Sequence, residues 1–182
     1  MRRLMLALVV IGAGVLLASG VALAAEIHCR GGQCRGTNGK DVLLGTAKRD
    51  IIYGFAGGDK IRGARGNDEL YGDPGNDVVY GGNGNDELDG GSGADKLYGS
   101  SGIDDIYGGF QSDLIVGGPG NDYLAGGNGN DTIIAQDGVF DIVSCGYGAN
   151  DTAFVDKNLD QFGQDCEHVY TQTRSGQVIR LR

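Results

Sequence analysis

A nine-residue repeat dominates this sequence. Starting at Gly36, eleven units follow one another without an insertion and end at Ile134. In every unit the first residue is Gly, the sixth is Asp and the eighth is aliphatic, and the fourth is Gly except where Lys48 and Gln111 stand. A fixed period of this kind predicts a solenoid in which each repeat packs on its neighbours.

Each unit predicts one turn and one strand. Positions seven to nine predict a three-residue strand whose central aliphatic side chain faces opposite to its neighbours. Positions one to six, rich in Gly and Asn, predict a turn with backbone conformations that few other residues adopt. Two units form a coil of eighteen residues, so the units predict two facing sheets around a thin core. Because 36 of 182 residues are Gly, folding costs much backbone entropy, and we expect something besides side-chain packing to stabilise the chain.

This pattern resembles the RTX family of calcium-binding nonapeptide repeats, Gly-Gly-x-Gly-x-Asp-x-U-x with U a large apolar residue. The resemblance implies an all-β, right-handed parallel β-roll with at most about nine Ca²⁺ ions between turns of units two apart. It implies that the sixth-position aspartates flank the ions in two columns, Asp41, Asp59, Asp77, Asp95, Asp113 and Asp131 in one and Asp50, Asp68, Asp86, Asp104 and Asp122 in the other. Turn glycines are implied as further metal-binding positions, namely Gly82, Gly84, Gly91, Gly93, Gly118, Gly120, Gly127 and Gly129.

The residue types suit calcium on independent grounds. Calcium is a hard cation that takes six to eight oxygen ligands from carboxylates and backbone carbonyls. Without an ion, aspartates stacked about 4.8 Å apart repel one another, so we expect a chain that is disordered without calcium and folded with it. The second turn, with Lys48 and Arg49 beside Asp50, is expected to bind calcium poorly. An acidic, Gly-rich disordered linker would explain the composition but not the invariant aliphatic position.

The N-terminal segment has the pattern of a secretory signal peptide. Arg2 and Arg3 precede an apolar run, and small residues at Ala22 and Ala24 complete a cleavage motif, which predicts a signal peptide over residues 1–24. A transmembrane anchor is less favoured because glycines interrupt a short run. We therefore expect a secreted protein with no membrane span after cleavage. The net charge of −9 argues against nucleic acid and anionic membranes as partners and favours cations.

Four cysteines flank the repeats and predict two disulfides in an oxidising compartment. Local pairing, Cys29 with Cys34 and Cys145 with Cys166, is favoured over a zinc site of Cys29, Cys34 and His28, whose spacing is loose. We expect an N-terminal cap over 25–35, repeats over 36–134, and slipped repeats with a C-terminal cap over 135–182; both ends resemble those of small secreted RTX-type proteins. Residues 156–167 have EF-hand ligand spacing, but Gln161 stands where the turn needs Gly, so a cap loop is favoured.

The sequence contains no recognised catalytic motif. Its only histidines, His28 and His168, form no His-Glu-x-x-His, and no Gly-x-Ser-x-Gly occurs. We therefore expect a non-catalytic calcium-binding protein with a structural or adhesive role at the cell envelope, in contact with an envelope or glycan partner. The alternative is a calcium-responsive binding or accessory module of a secreted enzyme or toxin system. Five tyrosines at the ninth position are expected to stack on neighbouring rungs rather than contact glycans: Tyr53, Tyr71, Tyr80, Tyr98 and Tyr107.

Overall fold

The computed structural model describes residues 26–172 and 176–182, so the predicted signal peptide over residues 1–24 lies outside the described residues. Every regular element in these ranges is a β-strand. Within them no helix occurs with the length and apolar character needed to cross a membrane. The strands are β1 (Glu26–His28), β2 (Gly32–Arg35), β3 (Val42–Leu44), β4 (Asp50–Tyr53), β5 (Lys60–Arg65), β6 (Glu69–Tyr71), β7 (Val78–Asn83), β8 (Glu87–Ser92), β9 (Lys96–Ser101), β10 (Asp105–Phe110), β11 (Leu114–Val116), β12 (Tyr123–Asn128), β13 (Thr132–Ala135), β14 (Ile142–Tyr147), β15 (Thr152–Val155), β16 (Gln161–Phe162), β17 (His168–Gln172) and β18 (Val178–Arg180).

The strands alternate between two parallel sheets. The odd-numbered strands β1 to β17 form one sheet, to which β18 adds an antiparallel edge, and β2 to β16 form the other. We call these the odd sheet and the even sheet. Within each sheet the partners lie eighteen residues apart along the repeats, as in Ile61 beside Val79 and Leu88 beside Ile106. The predicted parallel β-solenoid with eighteen-residue coils is confirmed.

Several strands are longer than the three residues that the repeat predicts. Strand β8 continues from the apolar positions through Gly91 to Ser92, and Gly91 lies opposite Gly109 of the next coil. The first three positions of the following unit therefore extend the parallel ladder before the chain turns. Strands β3, β6 and β11 keep three residues.

A single file of aliphatic side chains from each sheet forms the core. The eighth-position residues are fully buried, from Leu43 to Ile133. Because strand residues two apart face the same way, the Asp before each aliphatic residue and the Gly after it also face inward, as in Asp86, Leu88 and Gly90. The Asp that recurs at the sixth position of every unit is therefore buried on the inner side of the solenoid.

Strands outside the eleven repeats extend both sheets at each end of the solenoid. Strands β1 and β2 pair with β3 and β4, and Cys34 lies beside Ile52 in the core position. At the other end the slipped repeats still form rungs, because β14 pairs with β12 and β15 with β13. Both predicted disulfides are present, Cys29–Cys34 and Cys145–Cys166. With both sulfurs of the first pair bonded to each other, the zinc alternative is wrong.

The tyrosine prediction holds for the rungs with adjacent aromatic residues. Tyr53 stacks on Tyr71 with ring centroids 5.0 Å apart, and Tyr80 stacks on Tyr98 at 4.9 Å. Tyr107 instead tilts against Tyr123 at 5.7 Å.

Candidate metal centre

The eleven predicted aspartates lie in two columns along the inner wall. Each backbone N–H of a column Asp donates to Oδ1 of the Asp one coil further on, as from Asp41 to Asp59 at 2.7 Å and from Asp68 to Asp86 at 2.8 Å. The same bond recurs at every coil of the repeats at 2.6 to 2.9 Å. One column holds the six predicted aspartates from Asp41 to Asp131, and the other holds the five from Asp50 to Asp122.

The second carboxylate oxygen is buried without a partner in nine of the eleven. The residues are 0 to 4% exposed, yet Oδ2 accepts no hydrogen bond in nine of them: Asp59, Asp68, Asp77, Asp86, Asp95, Asp104, Asp113, Asp122 and Asp131. Buried polar atoms are almost always satisfied, so a repeated row of unsatisfied oxygens indicates a ligand. An anionic oxygen in this position suits a hard divalent cation.

The first position of each unit is Gly because neighbouring oxygen atoms lie too close to its Cα for a side chain to fit. A Cβ on Gly81 would lie 2.6 Å from Oδ2 of Asp86 and 2.7 Å from the carbonyl oxygen of Gly99 in the next coil. Any side chain at this position would displace the carboxylate. The same arrangement brings a carboxylate oxygen and a backbone carbonyl oxygen close together, which are the two oxygen types that calcium binds.

The predicted turn glycines have a different requirement, because all eight have positive φ: Gly82, Gly84, Gly91, Gly93, Gly118, Gly120, Gly127 and Gly129. Gly91, with φ of +93°, shows the left-handed conformation that other residues rarely adopt. At Gly93 a Cβ would lie 1.5 Å from the carbonyl oxygen of Gly75 in the preceding coil. The turns thus stack backbone on backbone, with a carbonyl oxygen of one turn close to the glycine of the next.

Several carboxyl groups of the columns have pKa values that are raised toward neutral pH. Burial raises the pKa of Asp77 and Asp104 to about 7, and nearby carboxylates add to the effect, against the opposing effect of the amide hydrogen bond. The same causes raise the pKa of Asp113 to about 7 and those of Asp59 and Asp68 to about 6. A bound cation or a proton would remove this unfavourable charge.

In each of the first two turns a Thr residue satisfies Oδ2 of the Asp, whereas Oδ1 of Asp50 is buried without a hydrogen-bond partner. The N–H and the hydroxyl of Thr37 donate to Oδ2 of Asp41 at 2.6 and 2.8 Å, and Thr46 does the same for Asp50 at 2.7 and 2.9 Å. Thr occupies the second position of these two units alone among the eleven. Arg49, expected to compete at Asp50, forms an ion pair with Glu69. These two carboxylates therefore lack the unpartnered Oδ2 that marks the others.

The columns continue past the repeats that the sequence identified. The N–H of Asp122 donates to Asp141 and that of Asp131 donates to Asp151, both at the same inward position. Oδ2 of Asp141 and of Asp151 is also buried without a partner. Sequence reasoning missed these two because one and then two extra residues shift them from the nine-residue period, although the Asp remained visible in each slipped unit.

The EF-hand alternative has no support in the geometry. Asp160 accepts backbone N–H groups from Asp141 and Asp156, and Asn158 adopts positive φ, so residues 156–160 form a hydrogen-bonded loop against the last rungs. Across the described part of the chain, no three His, Cys, Asp or Glu side chains gather as a metal-ligand cluster. Each turn supplies one carboxylate to the columns, so an ion there needs backbone oxygens to complete its coordination.

The comparisons place the repeats in a known family. The family model for the RTX calcium-binding nonapeptide repeat matches residues 35–70, 62–97, 71–106 and 98–133. These matches span more than half of the chain, and the chain belongs to this family of calcium-binding repeat proteins. A search of the curated proteins finds no match.

Proposed function

We propose that this chain is an exported, non-catalytic protein whose solenoid folds when Ca²⁺ binds between stacked turns and then has a structural or adhesive role at the cell envelope. The observation that carries the proposal is the row of buried Oδ2 atoms without partners. The nine repeat aspartates whose Oδ2 has no partner and the turn glycines supply the oxygen donors, with at most about nine ions in the repeats. Asp141 and Asp151 extend the same donor pattern into the slipped units.

Calcium dependence follows from the composition of the core. Each rung contributes one aliphatic side chain from each sheet, and the inward Asp beside it is charged at neutral pH when solvated. Burying unpaired charge is costly, and the glycine-rich backbone loses much entropy on ordering. A cation between the carboxylates converts the repulsion into attraction, so binding and folding are coupled.

Export and a non-catalytic role rest on separate features. Two disulfides in a small domain are typical of oxidising compartments, and both are present here. Nine of the repeat aspartates join adjacent coils through Oδ1, a structural use that does not present them in a cleft as acid or base catalysts.

The test is calcium titration of residues 25–182, followed by far-ultraviolet circular dichroism. We expect a mostly disordered spectrum in chelator and a strand-rich spectrum in calcium, with Mg²⁺ far less effective because it demands a tighter octahedral shell. A protein that is equally strand-rich in chelator at neutral pH would overturn the proposal.

A binding role has one observation in its favour. On the even sheet a shallow depression of about 390 Å³ is lined by Tyr107, Phe110 and Asp89 over a floor of small residues. Tyr107 and Phe110 are 40% and 58% exposed, and exposed aromatic rings beside a carboxylate suit the apolar face and hydroxyls of a sugar. Co-sedimentation with insoluble cell-wall polysaccharide in calcium tests this role: Tyr107→Ala should reduce binding, and Tyr98→Ala on the opposite sheet should not.

A further inference from the structure

The outward faces of the two sheets differ in charge and complement each other. On the odd sheet, strands β5 to β9 present Lys60, Arg62 and Lys96, with Arg62 and Lys96 exposed. On the even sheet, strands β6 to β10 present Glu69, Glu87, Asp89 and Asp105, with Glu87 and Asp105 exposed. From β3 to β15 no acidic residue occupies an outward seventh or ninth position of the odd sheet, and from β4 to β14 no basic residue does so on the even sheet.

The charges on the two faces also match in spacing. Lys60 and Lys96 are two rungs apart, since β5 and β9 both pair with β7. Glu69, which is paired with Arg49, and Asp105 are likewise two rungs apart with Glu87 between them, since β6 and β10 both pair with β8. Because every rung of both sheets advances by about 4.8 Å, a row of cations on one molecule can lie opposite a row of carboxylates on another without a mismatch in register.

The outward face of the odd sheet is also apolar enough to form a protein interface. Val78 and Tyr80 lie between the cationic rungs, and Leu114, Val116 and Ile134 follow them along the sheet, all half-buried. Nine parallel rungs of about 4.8 Å and strands of roughly 10 to 20 Å give a face on the order of 600 Å². That is close to the roughly 800 Å² per partner that a standard specific interface buries.

From this complementarity we propose that the folded protein associates with further copies of itself, the odd-sheet face of one copy packing on the even-sheet face of the next. Such a contact joins two different surfaces, so it does not close on a dimer and instead builds an open stack. The inference rests on the proposed function, because both faces exist only once calcium has folded the solenoid. It gives the structural role a concrete form, in which calcium switches on assembly of the protein.

Charge-swap variants provide the test. Lys60→Glu with Lys96→Glu makes both faces of one molecule acidic, and Glu69→Lys with Glu87→Lys and Asp105→Lys makes both faces of another basic. In calcium at low salt, sedimentation velocity should show oligomers larger than dimers for the unmodified protein and monomers for each variant alone. An equimolar mixture of the two variants should again form oligomers, because each acidic face now meets a basic one. High salt should weaken the unmodified assembly, since it screens charges a few ångströms apart at the rim.

The outcomes separate this inference from the proposed function. A protein that becomes strand-rich in calcium but stays monomeric at every concentration would overturn the assembly and leave calcium-driven folding intact. Variants that stay oligomeric, or a mixture that stays monomeric when both variants are folded, would also overturn it. Failure to become strand-rich in calcium would instead overturn the proposed function. The reversed side chains lie outside the aspartate columns, so circular dichroism of each variant in calcium should match the unmodified protein.

Discussion

At the scale of the residue, one Asp per unit has two oxygens with different tasks. Oδ1 of Asp86 accepts the N–H of Asp68 and so joins consecutive coils, while Oδ2 lies against Gly81 without a hydrogen-bond partner. In Asp50 the second oxygen is instead held by Thr46. The same residue type at the same repeat position thus has a free Oδ2 for calcium in one turn and an Oδ2 capped by Thr in another.

This difference predicts unequal effects of Asp86→Asn and Asp50→Asn. Asn keeps the hydrogen-bonding shape and removes the charge, so Asp86→Asn should weaken calcium binding by at least about tenfold, a size that even outer-shell changes reach. Asp50→Asn should change calcium affinity much less, because Oδ2 of Asp50 already accepts two hydrogen bonds from Thr46. Isothermal titration calorimetry of both variants measures the two affinities.

In chelator the sign for Asp86→Asn reverses. Removing a buried unpaired charge should make the calcium-free chain more strand-rich than the unmodified protein, because the raised pKa of Asp86 comes first from burial, which disfavours the charged form. Equal losses of affinity in Asp86→Asn and Asp50→Asn would contradict the assignment of Thr46 as a cap.

At the scale of the element, the unit that matters is the column of carboxylates. Burial and neighbouring carboxylates raise the pKa of Asp77, Asp104 and Asp113 to about 7. In the column of Asp77, the neighbouring Asp59 and Asp95 have pKa values raised to about 6. The column has two ways to lose its charge, by protons at low pH or by calcium at high pH.

Acid should therefore partly replace calcium. A carboxyl group whose pKa is raised on folding favours the folded state when it is protonated. Its full contribution is present below its unfolded pKa of 3.8, and it is lost as pH rises through its folded pKa, which is about 6 for Asp59 and about 7 for Asp77. In calcium-depleted buffer we expect strand content to increase as pH falls from about 8 to about 5. Circular dichroism against pH measures it.

The matched variant for this experiment is Asp77→Asn with Asp104→Asn. With two raised carboxyl groups replaced by neutral amides, the pH dependence should flatten and strand content at high pH should rise. A calcium-free protein whose spectrum does not change with pH, or loses strand content on acidification, would show that the columns are not what opposes folding.

At the scale of the whole molecule, the turns are unequal and so is the expected order of folding. The turns that end at Asp86, Asp95, Asp122 and Asp131 keep all three motif glycines, whereas the first two turns are closed by Thr37 and Thr46. The candidate calcium positions with the full glycine pattern are thus concentrated in the middle and C-terminal parts of the solenoid.

Hydrogen exchange during a calcium titration should follow this gradient. Amide protection should appear first around Leu88, Leu97 and Leu124, and around Ile52 only at higher calcium. The first coil, which contains Ile52, needs the neighbouring coil to be folded before it can pack on it. Mass-spectrometric exchange on overlapping peptides would resolve these regions. Simultaneous protection of all strands would show that the solenoid forms as one cooperative unit.

The sequence by itself determined the architecture, because its period is local and repeated. An eighteen-residue coil, alternate sheets, the aliphatic file and the aspartate columns all follow from which residues recur at which offset, and the local disulfides follow from two separated cysteine pairs. A repeat whose units contact their neighbours has little freedom in topology once the period is known.

Only the tertiary structure decided features that depend on the adjacent coil. It placed Oδ2 in a buried position without a partner, showed that the first-position Gly is needed for space, and brought Arg49 onto Glu69. It also kept Asp141 and Asp151 in the columns despite the inserted residues. The physical reason is that these contacts join atoms of adjacent coils. Neither the nine-residue period nor the residue type predicts which atoms of two stacked coils come into contact.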